Sequence, residues 1–244
     1  MVDVQIFSTK TELQTSTGKF IAKKAREAIL DHGYFSIAFS GGSVASIAPA
    51  GLLELPDVLN LDFSKWKIYF CDERYVELSH SDSNYNAVNQ NFISKVKGIL
   101  KQNIYTINPN LSLEEARKDY EDKLKSSLDD GKSIDLLLIG MGPDGHICSL
   151  FPGHRLLDVS DCLVASIADS PKPPSCRITL TYAAVNSAKC ALFIVAGSGK
   201  AVVAQKVLEE NENNTIPAAR VKLTSGTTHW FLDSDAASHL TQKK

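Results

Sequence analysis

Nothing in this sequence supplies a broad electrostatic field. Lysine and arginine total 26 against 28 aspartates and glutamates, a formal net charge of -2, so there is no basic face for nucleic acid and no charge block of the kind that forms a tail. An anionic ligand must therefore be caught by a local arrangement of donors. No apolar run approaches the roughly 20 residues that a helix needs to span a bilayer, so no membrane association is expected. The opening Met1-Val-Asp-Val-Gln-Ile-Phe7 lacks the basic and apolar regions of a secretory leader. Cysteines are five, at positions 71, 148, 162, 176 and 190, with no Cys-x-x-Cys pair, so neither a disulfide framework nor a zinc site is indicated. Reduced thiols in a cytoplasmic protein are the expectation. Asn213-Asn-Thr215 fits a glycosylation sequon, which carries no weight without secretion. Internal repeats, low-complexity segments and long linkers are missing too. A monomer with a small-molecule ligand is the simplest expectation.

What the chain does have is an ordinary globular composition, 43% hydrophobic and 22% charged over 244 residues. Residues 1–244 read as a single α/β domain. After a short strand at Val4–Phe7, Thr9-Lys-Thr-Glu12 resembles a capping box, and Leu13, Phe20, Ile21, Ala25, Ala28 and Ile29 recur at helical spacing until Gly33. Strands are expected at Phe35–Ser40, Lys65–Cys71, Ile104–Ile107, Ile134–Ile139, Leu163–Ile167, Arg177–Leu180, Ala191–Ala196 and His229–Leu232, with helical patterns between most of them. Ser112-Leu-Glu-Glu115 opens another helix toward Leu128. Such alternation predicts a mostly parallel sheet with helices on both faces. Pro49 breaks the pattern after Gly42 and is expected early in a second, shorter helix.

Three strand ends concentrate chemistry. Ile134–Ile139 reads as a central strand, and it stops at Gly140-Met-Gly-Pro-Asp-Gly-His146. Open α/β sheets place ligands at such a point, and a histidine there titrates near neutrality. Ser40-Gly-Gly-Ser43 follows another strand and precedes a helix start, where backbone N–H groups and the helix dipole favour an anion. Two glycines and two serines between elements are also ordinary turn punctuation, so this segment alone leaves both readings standing. It matches neither the dinucleotide fingerprint nor the Walker pattern. Cys71-Asp-Glu-Arg74 ends a third strand with charges that must be paired or used; an Asp–Arg pair tying down the next loop competes with a ligand role. Arg177 and Lys200 are the cations to bring to a phosphate, although most lysines and arginines simply face water.

Taken in order, Ser40-Gly-Gly-Ser43, Cys71-Asp-Glu-Arg74, Gly140-Met-Gly-Pro-Asp-Gly-His-Ile-Cys-Ser-Leu-Phe-Pro152, Asp169-Ser-Pro-Lys-Pro-Pro174 with Arg177-Ile-Thr-Leu180, and Gly197-Ser-Gly-Lys200 closely resemble the 6-phosphogluconolactonase family over almost the whole chain. The glycine–histidine block running into Ser-Leu-Phe-Pro is the most specific part. The resemblance implies a modified Rossmann-like fold shared with glucosamine-6-phosphate deaminases, no required cofactor or metal, and hydrolysis of a phosphosugar lactone, 6-phospho-D-glucono-1,5-lactone.

Carried over by position, His146 becomes the general base, Asp144 shapes its turn or steers its ring, and Arg74 or glycine-loop amides meet the oxyanion. Asp72 and Glu73 accept sugar hydroxyls or orient Arg74. Gly41, Gly42 and Ser43 receive the phosphate between Arg177 and Lys200. A covalent mechanism through Cys148 or Ser149 is disfavoured, because neither sits in a nucleophile elbow. Two alternatives share the fold. A glucosamine-6-phosphate deaminase would carry tyrosine where Arg74 stands and a further acidic residue in place of Ser149-Leu-Phe-Pro152. A non-catalytic phosphosugar sensor would leave His146 without a task.

Overall fold

A computed structural model of the chain describes residues 2–131, 133–210 and 215–241; the sequon at Asn213 lies outside them. Six parallel strands form one sheet in the order β1 (Val2–Phe7), β9 (Thr227–Asp233), β8 (Cys190–Val195), β5 (Leu136–Ile139), β2 (Phe35–Phe39) and β3 (Trp66–Phe70). Side chains alternate across the pleat. Leu136, Leu138, Ile37 and Phe39 thus enter one buried cluster, while Leu137, Ile139 and Ala38 enter another on the opposite face. Strands apolar on both faces suit a parallel sheet covered by helices on both sides.

The first helix, α1 (Lys10–His32), begins where the capping signal places it: Thr9 accepts from the Glu12 amide, and Gly33 ends it in the left-handed region at φ 88°. It packs against α2 (Val44–Leu53) through glycines. A Cβ on Gly51 would stand 1.7 Å from the Gln14 carbonyl oxygen, and one on Gly18 would stand 2.1 Å from that of Gly51, so these backbones approach as only glycine permits. Pro49 is the sixth residue of α2 rather than an early one. Burial of α2 through Val44, Ala45, Ile47, Ala48, Gly51 and Leu52 offsets the roughly 3 kcal/mol cost of an interior proline. The second capping signal opens α4 (Leu113–Ser127), with Ser112 and Glu115 bonding reciprocally.

Two expectations fail. Ile104–Ile107 is not a strand: it makes one isolated parallel bridge, Ile68 to Ile104, and then leaves the sheet, with Tyr105 stacked on Tyr69 at 4.6 Å. The expected strands near 163–167 and 177–180 exist as β6 (Val164–Ile167) and β7 (Arg177–Leu180), but they form a separate antiparallel sheet with a strand not expected from sequence, β4 (Asp72–Arg74).

Because the large sheet is parallel, the carboxyl ends of β2, β3, β5 and β8 share one edge. The chain proceeds from β2 outward to β3 in one direction, and from β5 outward to β8 and β9 in the other. The β2/β5 boundary is therefore the switch point where such sheets open a crevice.

Candidate active site

A cleft of about 260 Å³ opens at that edge, suited to one small ligand rather than a dinucleotide. His146 reaches it from the turn after β5. Gly142 N–H donates to the His146 carbonyl at 2.9 Å and Gly145 N–H to the Gly142 carbonyl at 2.9 Å, closing a tight loop. Inside it, His146 Nδ1 meets Asp144 Oδ1 in a short contact. An ionised carboxylate can only accept, so Nδ1 carries the proton and Nε2 keeps its lone pair. The ring also packs on Phe151, with centroids 4.8 Å apart, and its side chain is 18% exposed.

Burial pushes the His146 pKa below its ordinary value; the Asp144 carboxylate pulls it up and the Lys172 ammonium pushes it down. For Asp144, burial alone would raise the carboxyl, but the His146 bond and the Lys172 charge outweigh it and hold the group at about 2. A neutral imidazole oriented by an ionised carboxylate can accept a proton from water.

The same cleft is lined by Gly41, Gly42 and Ser43 after β2, Asp72 and Arg74 on β4, Arg177 on β7, and Lys200 after β8. Ser43 precedes the first residue of α2 and makes no side-chain capping bond. Arg74 and Arg177 are direct partners across the antiparallel β4/β7 ladder. Like charges so placed repel, an arrangement that an anion between them would relieve. Arg177 is 3% exposed; burial lowers its pKa while Asp72 raises it. Burial and the nearby Lys172 likewise lower that of Lys200. Asp72 accepts from Ser149 Oγ at 2.8 Å and from Asn84 Nδ2 at 3.3 Å.

A family model described as "Glucosamine-6-phosphate isomerases/6-phosphogluconolactonase" matches residues 8–230. The chain belongs to this family. Relatives called 6-phosphogluconolactonase from Bos taurus and Homo sapiens are 40% and 39% identical, each over 98% of this chain and 93% of their own. A crystal structure of 6-phosphogluconolactonase from Thermotoga maritima superimposes with a TM-score of 0.83 at 26% identity, covering 96% of this chain and 100% of that one.

In this isomerase/lactonase-family member, one assigned residue stands elsewhere. Glu73 does not line the cleft. Strand alternation sends Asp72 and Arg74 to one face of β4 and Glu73 to the other, where it is 1% exposed. Its carboxylate accepts from the amides of Arg74, Asn84 and Tyr85 and from Ser83 Oγ, and so anchors the first turn of α3 (Asn84–Asn91). Burial pushes its pKa up to about 7 against those three amides.

Other cleft residues were not singled out by sequence reasoning. Lys172, Asn84 and Met141 line the cleft, as does Ser40, whose buried Oγ has no hydrogen-bond partner among the described residues. The proline-rich motif contained Lys172, but nothing local marked it as facing the histidine. Cys148 lines the cleft too, yet the neighbouring Cys71 thiol and burial push its pKa well up, which leaves it a poor nucleophile.

Proposed function

We propose that this chain hydrolyses 6-phospho-D-glucono-1,5-lactone to 6-phospho-D-gluconate, the lactonase step of the oxidative pentose phosphate pathway. The reading draws on family membership, and the observation that carries it is that the Asp144-oriented imidazole and the opposed Arg74 and Arg177 line one cleft. His146 Nε2 takes a proton from water as the water oxygen attacks the lactone carbonyl. Asp144 holds Nδ1–H and stabilises the imidazolium that forms. Arg74, which lines the cleft and whose Nη1 is tied to the Asp82 carbonyl at 2.6 Å, serves the developing oxyanion. His146 then returns its proton to the ring oxygen as the C–O bond breaks. Arg177, Lys200 and the Gly41–Ser43 turn hold the phosphate, and Asp72 accepts a sugar hydroxyl. Water is the only co-reactant, so no cofactor enters.

Cytoplasmic location and a monomeric working unit belong to the same reading, the first drawing on five unpaired cysteines. No helix among the described residues is long and apolar enough to cross a membrane.

The test is lactonase activity on fresh substrate, corrected for spontaneous hydrolysis. His146→Ala should lower turnover by about 10²–10⁴-fold with little change in melting temperature. Wild-type turnover in this variant removes the general base. Ammonia release from glucosamine 6-phosphate in place of lactone turnover would overturn the assignment.

A further inference from the structure

We propose that Lys172 keeps the base of the reaction in its working protonation state: its ammonium shares the Asp144 carboxylate with His146, so the carboxylate orients the ring without also drawing a proton onto it. The proposal rests on His146 being the general base. Lys172 Nζ lies 3.1 Å from His146 Nδ1, 3.3 Å from Asp144 Oδ2 and 3.4 Å from Asp144 Oδ1. The single hydrogen on Nδ1 points to Asp144, so the ammonium donates to the carboxylate, and its contact with the ring is that of a charge on a dipole. An aspartate beside a histidine favours imidazolium, and imidazolium cannot accept a proton from water. A cation on the same carboxylate offsets that bias while leaving the hydrogen bond to Nδ1 in place.

The ammonium is held there by its backbone. Arg177 Nε donates to the Pro174 carbonyl at 2.9 Å, and its Nη2 donates to those of Lys172 at 2.8 Å and Pro173 at 3.0 Å. Prolines at 171, 173 and 174 restrict the same loop. Three charged groups act on the ring, Asp144 on its own turn, Lys172 from the proline loop and Asp72 from β4, which favours imidazolium; Lys200 acts on Lys172 and Asp144. Among the described residues, Lys172 is the cation in contact with the imidazole. It acts through His146 and is a positioning residue.

The test compares Lys172→Met, which removes the charge but keeps the backbone carbonyl gripped by Arg177, with Lys172→Arg, which keeps the charge. Lys172→Gln, a second neutral variant, guards against a folding defect in the first. The readouts are the acid limb of kcat/KM, scaled to each variant's own plateau, and the NMR titration of the His146 ring, assigned with His146→Ala. Removing a positive neighbour favours imidazolium, so the neutral variants should move both titrations to higher pH and lose about three- to tenfold of their plateau activity on the acid side. Lys172→Arg should keep the wild-type limb. Neutral variants titrating with the wild type, or an arginine variant shifted as far as methionine, would overturn the proposal. These failures are distinct from that of the base assignment, which falls only if His146→Ala stays active.

Discussion

A methyl group at position 142 would sit 1.9 Å from His146 Nδ1 and 2.5 Å from Asp144 Oδ1. The contact between His146 and Asp144 therefore exists only because this residue has no side chain. Gly142→Ala should separate ring from carboxylate and lower kcat by about 10²-fold, as misplacements near 1 Å do. Affinity for 6-phosphogluconate should change little, because the proposed phosphate seat is built from other turns. Calorimetric binding beside steady-state kinetics checks this, and equal losses in both would contradict it. At this scale the glycine turn and its histidine were legible in the sequence, since a buried strand ending in Gly140-Met-Gly-Pro-Asp-Gly-His146 leaves few alternatives. The contact between His146 and Lys172 was not. It spans 26 positions and arises from the clamp that Arg177 places on the proline loop, which no local pattern reveals.

Strand β4 illustrates how an element escapes sequence reading. Three residues are too few to establish a period of two, and Asp72-Glu73-Arg74 reads as loop charge until its pairing with β7 is seen. Once paired, alternation decides each residue's task and moves Glu73 from the cleft to the foot of α3. Glu73→Ala should leave the amides of Arg74, Asn84 and Tyr85 without an acceptor and cost about 2–4 kcal/mol in urea denaturation. Its titration has a defined sign. The folded pKa of about 7 exceeds the unsupported 4.5, so between those values the folded state holds the extra proton. This contribution is fully present below about 4.5 and is lost as pH rises through about 7. Urea midpoints at about pH 5 and about pH 8 should differ less in Glu73→Gln than in the wild type; equal differences would remove Glu73 as a source of that slope. By contrast, the long elements α1 and α4 were legible down to their caps, because capping chemistry is local.

For the whole molecule, alternating strands and helices foretold the parallel sheet. The separate antiparallel sheet went unseen because β6 and β7 look locally like any other short apolar strand, and sheet membership is a long-range property. Charge is distributed just as unevenly. A chain of net charge -2 gathers Arg74, Lys172, Arg177 and Lys200 around one cleft. An anion that binds the folded state at about 100 times its Kd should add about 2.7 kcal/mol, or roughly 5–10 °C in melting temperature for a chain of this size. Inorganic phosphate should produce such a shift, and Lys200→Met, which removes a cation of the proposed phosphate seat, should shrink it. An equal rise in chloride at matched ionic strength would contradict site binding.

The phosphate seat proposed around Arg177 and Lys200 also bears on how this enzyme can be assayed at all. Such a seat would not distinguish the phosphate of a sugar from one in the buffer, so sulfate or phosphate buffers should act as competitive inhibitors and raise the apparent KM. Rates meant to report on the chemistry belong in media whose anions are large, singly charged and weakly coordinating.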